Sequence, residues 1–549
     1  MPAIVLVLLS IALPLAAQPN GPQRVGVGPV ERSLSLEQAI EMALANNLEI
    51  EVERLSRNLS QESAAGARGF FDPTFRWAPG IESANVPTGS LLLGQNGKLV
   101  DRYFRQNFYF QQRLPERGSS FGISFENSRD STNNPFAGLN PFVTSRLFFN
   151  FTQPLLRNRE TDAQRSELEI RRKRADLSEV ELELSVTEVV FRTEQAYWNL
   201  VAARSDAAVR AEFVDLAREQ LARNQRFIDA GTLAPVELSA SEAELERRLD
   251  SWYAAVGLVT EVENSLKMLL AGGAASDLWN DEIVPSDSIG KTQPPAIYEL
   301  QESIRQAIAS RPELRALDAQ LTVNDVQKKQ NQNALKPEMN LVAAWGLTGL
   351  GGSVNQVDNP FSQSQEVLVQ RLNELSLRAG LTPVRPDFGG DALPDRVIGG
   401  YGTTLSNLFG GSFQTFQVGL SFDFTMRNQT ARSNLAQSVI SERQIRTRRT
   451  QAEQLVAADV RNAYQAIQTA RQRIQAASAS VRAAKEKLDS ETRLFQNGES
   501  TNFLVLTRQN EYADSRLREV VAKLELNKAL ASLQRALGAT LETYRVAIR

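Results

Sequence analysis

Along the second half of the chain, apolar residues recur every seven positions, at Val460, Ile467, Ile474, Val481 and Leu488. Ala463, Ala470, Ala477 and Ala484 follow the first four at a spacing of three. A branched residue at one core position and alanine at the other describes a heptad seam whose small side lets neighbouring helix backbones approach. The first half carries the same pattern in Leu200, Ala207, Val214 and Leu221, with Ala196, Ala203 and Ala217. No proline interrupts Gln164 to Phe227, which predicts a rod about 95 Å long at ~1.5 Å per residue. Elsewhere the period drops to two. Phe149–Thr152 and Gln417–Thr425 alternate apolar with polar residues, and Phe75–Trp77 and Asn340–Trp345 do so more weakly. Alternation rich in aromatics marks a barrel strand with one lipid-facing side, so strands are expected at about 74–84, 143–154, 338–348 and 413–426.

These elements come in two copies. Ala43–Ile50 (ALANNLEI) returns as Ala307–Leu314 (AIASRPEL), and Pro73 returns as Pro337, both 264 residues later. Ala196-Tyr197 returns as Ala463-Tyr464 and Arg226–Gly231 as Arg493–Gly498, both 267 residues later. Each proline pushes the residue before it out of the helical region, so it closes a short helix and opens an extended segment. The expected plan is one repeat over 34–280 with long helices at about 161–227 and 235–271, a joint at 281–295, and a second repeat over 296–541 with long helices at about 430–496 and 501–538. The tight turns between paired long helices carry Gly231-Thr232-Leu233 and Gly498-Glu499-Ser500.

Composition removes whole classes of chemistry. The chain has neither cysteine nor histidine, so disulfides, thiolate nucleophiles and the commonest general base and metal ligand are excluded. No phosphate-binding GxxxxGK[ST] loop is present, so the chain supplies no nucleotide energy of its own. No catalytic, cofactor or metal residue is expected, and the protein is read as a non-enzyme. A net charge of −3 gives no general attraction to nucleic acid, and the basic runs Arg171–Arg174 and Arg446–Arg449, mixed with Glu and Gln, read as solvated helix faces. Pro2–Ala17 resembles the apolar core and small-residue cleavage site of a secretory signal, with cleavage near Ala17–Gln18. After it, no run reaches the ~20 apolar residues of a spanning helix, so any membrane crossing falls to strands.

The duplicated plan, the helix openings LEQAIEMALANN and ESIRQAIASRPEL, the turns FIDAGTLAPVEL and FQNGESTNFLVL, and the closing ALGATLE resemble the TolC family of outer-membrane efflux proteins over about Leu34 to Leu541. The resemblance implies a mainly α protein with membrane β-structure. Three copies would form a twelve-stranded barrel continuous with a periplasmic α-helical coiled-coil barrel. It also implies a passive exit duct of a tripartite efflux or type I secretion system, served by a periplasmic adaptor (membrane fusion) protein and an inner-membrane RND or ABC-type pump. The alternative is a periplasmic coiled-coil adaptor or scaffold without membrane strands. Acidic rings commonly close the narrow end in this family, six and nine residues past the second-turn glycine. Here those positions are Leu504 and Thr507. With Phe503 beside them and Asp229 in the other hairpin, the expectation is an apolar constriction that gates by dewetting, the other reading being that Phe503 and Leu504 only pack the hairpin end. The tips Gly231–Leu233 and Gly498–Ser500 are expected to dock the adaptor. Tyr103–Arg113 and Ser119–Ser128 also alternate, around the turn Leu114–Gly118. Because the second half offers no counterpart, they are assigned to a hairpin extending or covering the extracellular rim, leaving four spanning strands per chain; the other reading is that both span, giving six strands per chain and eighteen per trimer.

Overall fold

The computed structural model describes residues 24–28, 30–90, 93–94, 96–288, 299–355, 360–384 and 393–546. The expected leader at 1–17 and the 289–295 part of the joint lie outside the described residues. The chain folds as two units, one made of residues up to Leu59, Asp176–Gln320 and residues from Ile445, the other of Ser60–Ala175 and Leu321–Gln444.

In chain order the elements are β1 (Glu31–Leu34), α1 (Leu36–Asn46), α2 (Leu48–Gly66), β2 (Thr74–Pro87), β3 (Lys98–Arg113), β4 (Ser120–Thr132), β5 (Leu139–Pro154), α3 (Ala163–Asp229) and α4 (Val236–Leu270). There follow β6 (Glu282–Pro285), α5 (Leu300–Ser310), α6 (Pro312–Asn333), β7 (Glu338–Val354), α7 (Pro360–Arg378), α8 (Tyr401–Phe409), β8 (Phe413–Asp423), α9 (Gln429–Gln496), α10 (Asn502–Ala536) and α11 (Thr540–Thr543). Pro73 and Pro337 fall between a helix and the strand after it, where the local backbone rule puts them. The long helices α3 and α9 have 67 and 68 residues, and α4 and α10 have 35 each. Among the described residues no helix is long and apolar enough to cross a membrane.

In the first unit, α3 pairs with α4 and α9 with α10 through the alanine-rich seams. Leu200, Ala203, Val214 and Ala217 are buried on α3, and Val460, Ala463, Ile467 and Ala470 on α9. One core gathers Ile40 and Ala43 of α1, Tyr197 and Leu200 of α3, Leu266 and Leu270 of α4 and Ile283 of β6. Its counterpart gathers Ile304 and Ala307 of α5, Val460 and Ile467 of α9, and Leu530 and Leu533 of α10. Each short helix therefore caps one long hairpin. A capping box at Ser35 and Gln38 fixes the start of α1, and β1 lies parallel to β6. The two tyrosines of the repeat are anchored differently: Tyr197 donates to the Leu34 carbonyl at 2.9 Å, while the Tyr464 and Ser303 hydroxyls share a bond of 2.6 Å.

The second unit is built on one antiparallel sheet with the order β2-β3-β4-β5-β7-β8. It has six strands where the resemblance implied four. The expected rim segment forms β3 and β4, inserted between β2 and β5 and paired to both along nearly their whole length. The physical reason is continuity of the pattern. Phe104, Phe108, Phe110, Phe121, Ile123 and Phe125 continue the apolar face of their neighbours, and a register that keeps one face apolar is strongly selected. β2 and β8 are the two edges of the sheet.

Candidate functional site

Side chains directly opposite in an antiparallel pair share a face, so the register sorts the sheet into two surfaces. On one, Trp77, Phe108, Phe125, Leu147 and Leu347 form a row across five strands, and Phe75, Phe110, Ile123, Phe149, Trp345 and Phe416 form the row beside it. Ring contacts link Phe75, Trp77 and Phe125 to Phe108, with centroids 6.3 to 6.5 Å apart. These large side chains are not a core: Phe75 is 69% exposed and Phe416 75% exposed in the single chain. A continuous exposed apolar surface of this kind marks a membrane or partner surface. The charged members of this face within β2–β5, Lys98, Arg102 and Arg129, sit toward the end where β2 turns into β3.

The opposite face is polar. Arg76 lies over the Tyr109 ring with its guanidinium carbon 4.4 Å from the centroid, Arg105 pairs with Glu82 at 2.9 Å, and Glu126 stands opposite Arg146. Thr74, Asn107, Ser124, Asn150, Thr152 and Gln417 also belong to it, with Phe148 among them opposite Ser124. One face wet and one face apolar, with two open edges, is the arrangement a sheet needs to form part of a membrane barrel around an aqueous channel.

On the apolar face, α8 covers a patch where the pattern weakens. Thr404 and Leu408 lie over Gly349, where a Cβ would collide with the Thr404 carbonyl oxygen. Thr404 donates to the Val143 carbonyl at 3.3 Å, and the Tyr401 hydroxyl donates to Asn127 at 3.0 Å. Asn127 also accepts from Ser145 at 2.6 Å. The helix thus satisfies polar groups that would otherwise interrupt the apolar surface.

At the hairpin turns of the first unit, Gly231 has φ +74° and Gly498 φ +81°, values that suit glycine because no Cβ opposes them. The Thr232 N–H and hydroxyl both donate to the Phe227 carbonyl, each at 2.9 Å. Ser500 hydrogen-bonds Glu491, and Thr501 caps α10. Leu233 is half-buried, whereas Gly231, Thr232, Gly498 and Glu499 are exposed. Asp229 is exposed and accepts from Gln225 at 2.8 Å. Phe503 is 71% exposed and Leu504 37% exposed, so within one chain Phe503 does not pack the hairpin end. The Thr507 hydroxyl turns back to the Phe503 carbonyl at 2.8 Å.

Close to these turns lies a buried polar knot that the sequence reading passed over. Asn224 donates to Ser241 at 2.7 Å and to Asn502 at 3.0 Å, Gln220 donates to Asn502 at 3.1 Å, and Asn502 donates to Glu237 at 3.0 Å. Gln220, Asn224, Ser241 and Asn502 are all buried. The knot joins α3 and α4 to α10. Its signal was present in the heptads: Asn224 follows Ala217 by seven residues, and Glu491 follows Ala484 by seven. A polar residue at a core heptad position fixes register at a cost in stability. Further along, Arg248 donates to the Phe213 carbonyl at 3.0 Å and to Gln509 at 3.2 Å, a second polar tie between the hairpins. In the basic run ending at Arg449, that last arginine pairs with Asp318 at 2.7 Å and also with Glu453.

Residues 390–539 match the family described as Outer membrane efflux protein. No curated protein matches the sequence. Among solved structures, the CmeC outer membrane channel of Campylobacter jejuni shares 14% identity at a TM-score of 0.61, covering 92% of this chain and 86% of its own. The MtrE outer membrane channel of Neisseria gonorrhoeae shares 15% identity at 0.56, covering 92% and 89%. The outer membrane protein VceC of Vibrio cholerae shares 12% identity at 0.57, covering 92% and 96%. The fold, long helix hairpins joined to antiparallel strands, is that of these channels over nearly the full length of both partners.

Proposed function

We propose that the chain is the outer-membrane exit duct of a tripartite export system, a reading supported by the match of residues 390–539 to the outer membrane efflux protein family and by the fold shared with such channels. The family's channels work as trimers, and three copies here would close a barrel in the outer membrane with their helix hairpins in the periplasm. The observation that carries this reading is the sheet: one face exposes Phe75, Trp345 and Phe416, and the other carries Arg76, Glu82, Arg105 and Glu126. Open edges in lipid would leave backbone groups unsatisfied at several kcal/mol each, so copies must pair. Transport is passive, and energy comes from a pump of the RND or ABC type through a periplasmic adaptor.

Within this function, Phe503 and Leu504 form an apolar constriction, with Thr507 and Asp229 beside it. The exposure of Phe503 supports a role beyond packing its own hairpin. The tips Gly231–Leu233 and Gly498–Ser500 dock the adaptor. Outer-membrane fractionation with heat-modifiable migration tests the channel reading, because a periplasmic scaffold stays soluble. Thr232→Cys and Ser500→Cys should crosslink to the adaptor, and crosslinks from the sheet alone would remove the docking role. Leu504→Ser should raise single-channel current in planar bilayers, and an unchanged current would return Leu504 to packing.

A further inference from the structure

We infer that each chain contributes all six strands of its sheet to the membrane wall, so that three copies close an eighteen-stranded barrel. The inference rests on the channel reading and departs from the four strands per chain that the family resemblance implied.

Four of the six strands adjoin helices in the chain: β2 follows α2, β5 precedes α3, β7 follows α6 and β8 precedes α9. All four junctions fall at one end of the sheet. A hairpin lying on the opposite rim would place its turn away from that end. The 114–119 turn between β3 and β4 lies at the junction end instead. Arg165, in the first turn of α3, donates to the Glu116 carbonyl at 3.4 Å, and Gln153 at the end of β5 donates to the Arg117 carbonyl at 3.2 Å. Ser119 donates to Gln153 at 2.7 Å. Gly118 has φ +69°, and a Cβ there would stand 2.5 Å from the Asn158 carbonyl oxygen. Arg113 lies over the Phe70 ring, just ahead of β2, at 4.3 Å. The hairpin therefore runs the full height of the sheet.

Length and chemistry agree. β3 has 16 residues and β4 has 13, more than the ~9–11 that a tilted membrane strand requires. Phe108 and Phe125 stand level with Trp77 and Leu147 within the apolar face, not beyond it. Parity then settles how copies join. With six alternating strands, β8 runs antiparallel to β2, so β8 of one copy can pair β2 of the next without breaking the alternation. The partner of each open edge is a second copy of this chain. Barrel diameter grows roughly linearly with strand number, so eighteen strands give about 1.5 times the diameter and about 2.2 times the cross-section of twelve.

The chain has no cysteine, so a single introduced thiol reports its own position. Glu116→Cys and Ala137→Cys, in the full-length protein, are treated with a membrane-impermeant maleimide on intact cells and again after the outer membrane is opened. Ala137→Cys should react on intact cells. Glu116→Cys should react only after opening, with at least a tenfold difference between the two conditions. Particle images of the purified trimer should show a barrel about 1.5 times the twelve-strand diameter. Labelling of Glu116→Cys from outside, or a barrel of twelve-strand width, overturns the inference while leaving a membrane channel in place. A protein that fractionates as soluble, with neither thiol labelled on intact cells, overturns the channel reading itself.

Discussion

Between its outer strands the first series of elements inserts a β-hairpin, and the second inserts helices. The first connects β2 to β5 through β3 and β4, and the second connects β7 to β8 through α7 and α8. Both insertions answer the same requirement, a continuous apolar surface on one side of the sheet. The hairpin extends that surface by adding Phe108, Phe110, Phe121 and Phe125. α8 instead lays Thr404 and Leu408 over a stretch of β7 where Gly349 and Gly351 leave room. The lesson is that duplication constrains the long helices, with 67 and 68 residues in α3 and α9 and 35 in both α4 and α10, more tightly than the sheet, which needs only alternation and closable edges.

The strongest way to break the comparison is to place charge on the inserted hairpin. Phe108→Arg puts a guanidinium in the apolar face and should cost about 2–4 kcal/mol per copy if that face meets lipid near its midplane. The nearby Asn107→Arg, on the polar face opposite Glu126, should cost little. Urea titration of heat-modifiable migration in lipid vesicles reads both. Equal losses at the two positions would mean that the hairpin has no lipid side.

The halves also differ in buried charge. Burial lifts the Glu194 carboxyl from its ordinary 4.5 to about 7, against opposing hydrogen bonds from Tyr544 and Trp198. The residue 267 positions later is Arg461, which is exposed. The folded state thus holds a proton that the unfolded chain has released. The stability tied to that proton is complete below about pH 4.5 and is lost as pH rises to about 7, roughly 3 kcal/mol per copy in all. Glu194→Gln removes this dependence, so the variant should gain on the parent as pH rises and level off above 7. A melting-temperature difference that stays flat from pH 5 to 8 would show the carboxylate ionised throughout.

At the tips the two series converge, and the polar knot measures how firmly. Asn224→Ala leaves Asn502 short of a buried donor and should destabilise the tip by about 1–3 kcal/mol. Its effect and that of Asn502→Ala should be far from additive, because both act through one network. Basal current in planar bilayers should rise in either variant, and an unchanged current would confine the knot to folding. The most local effect is at α8. Gly349→Ala would place a methyl 2.0 Å from the Thr404 carbonyl oxygen, so α8 must shift off the strand, at about 1–3 kcal/mol. Proteolysis should then begin within Tyr401–Phe409 while conductance is retained. If protection of that helix is unchanged, α8 is not held by the glycine groove.

The long helices and the period-two segments were legible in the sequence because each is a repeating local pattern read over many residues. The inserted hairpin was legible too, as the alternation of Phe104 through Phe125, yet symmetry between the halves argued it out of the sheet. Symmetry was the weaker guide, because strand pairing depends on neighbours in space and not on a counterpart in sequence. What places the 114–119 turn is Arg165 and Gln153, contacts no periodicity announces. The knot at Asn224 was hidden for the opposite reason. It broke the heptad by one residue, and a seam read for its apolar members passes over the polar one.

The unpaired edges of β2 and β8 carry a consequence for biogenesis. In the proposed channel, a lone chain entering the bilayer would bring two rows of unsatisfied amides and carbonyls into hydrocarbon. Insertion would then await a closed ring, and its rate would rise steeply with the concentration of waiting chains. Until then the aromatic face of the sheet would need an escort, and a modest fall in synthesis would deplete such a channel out of proportion.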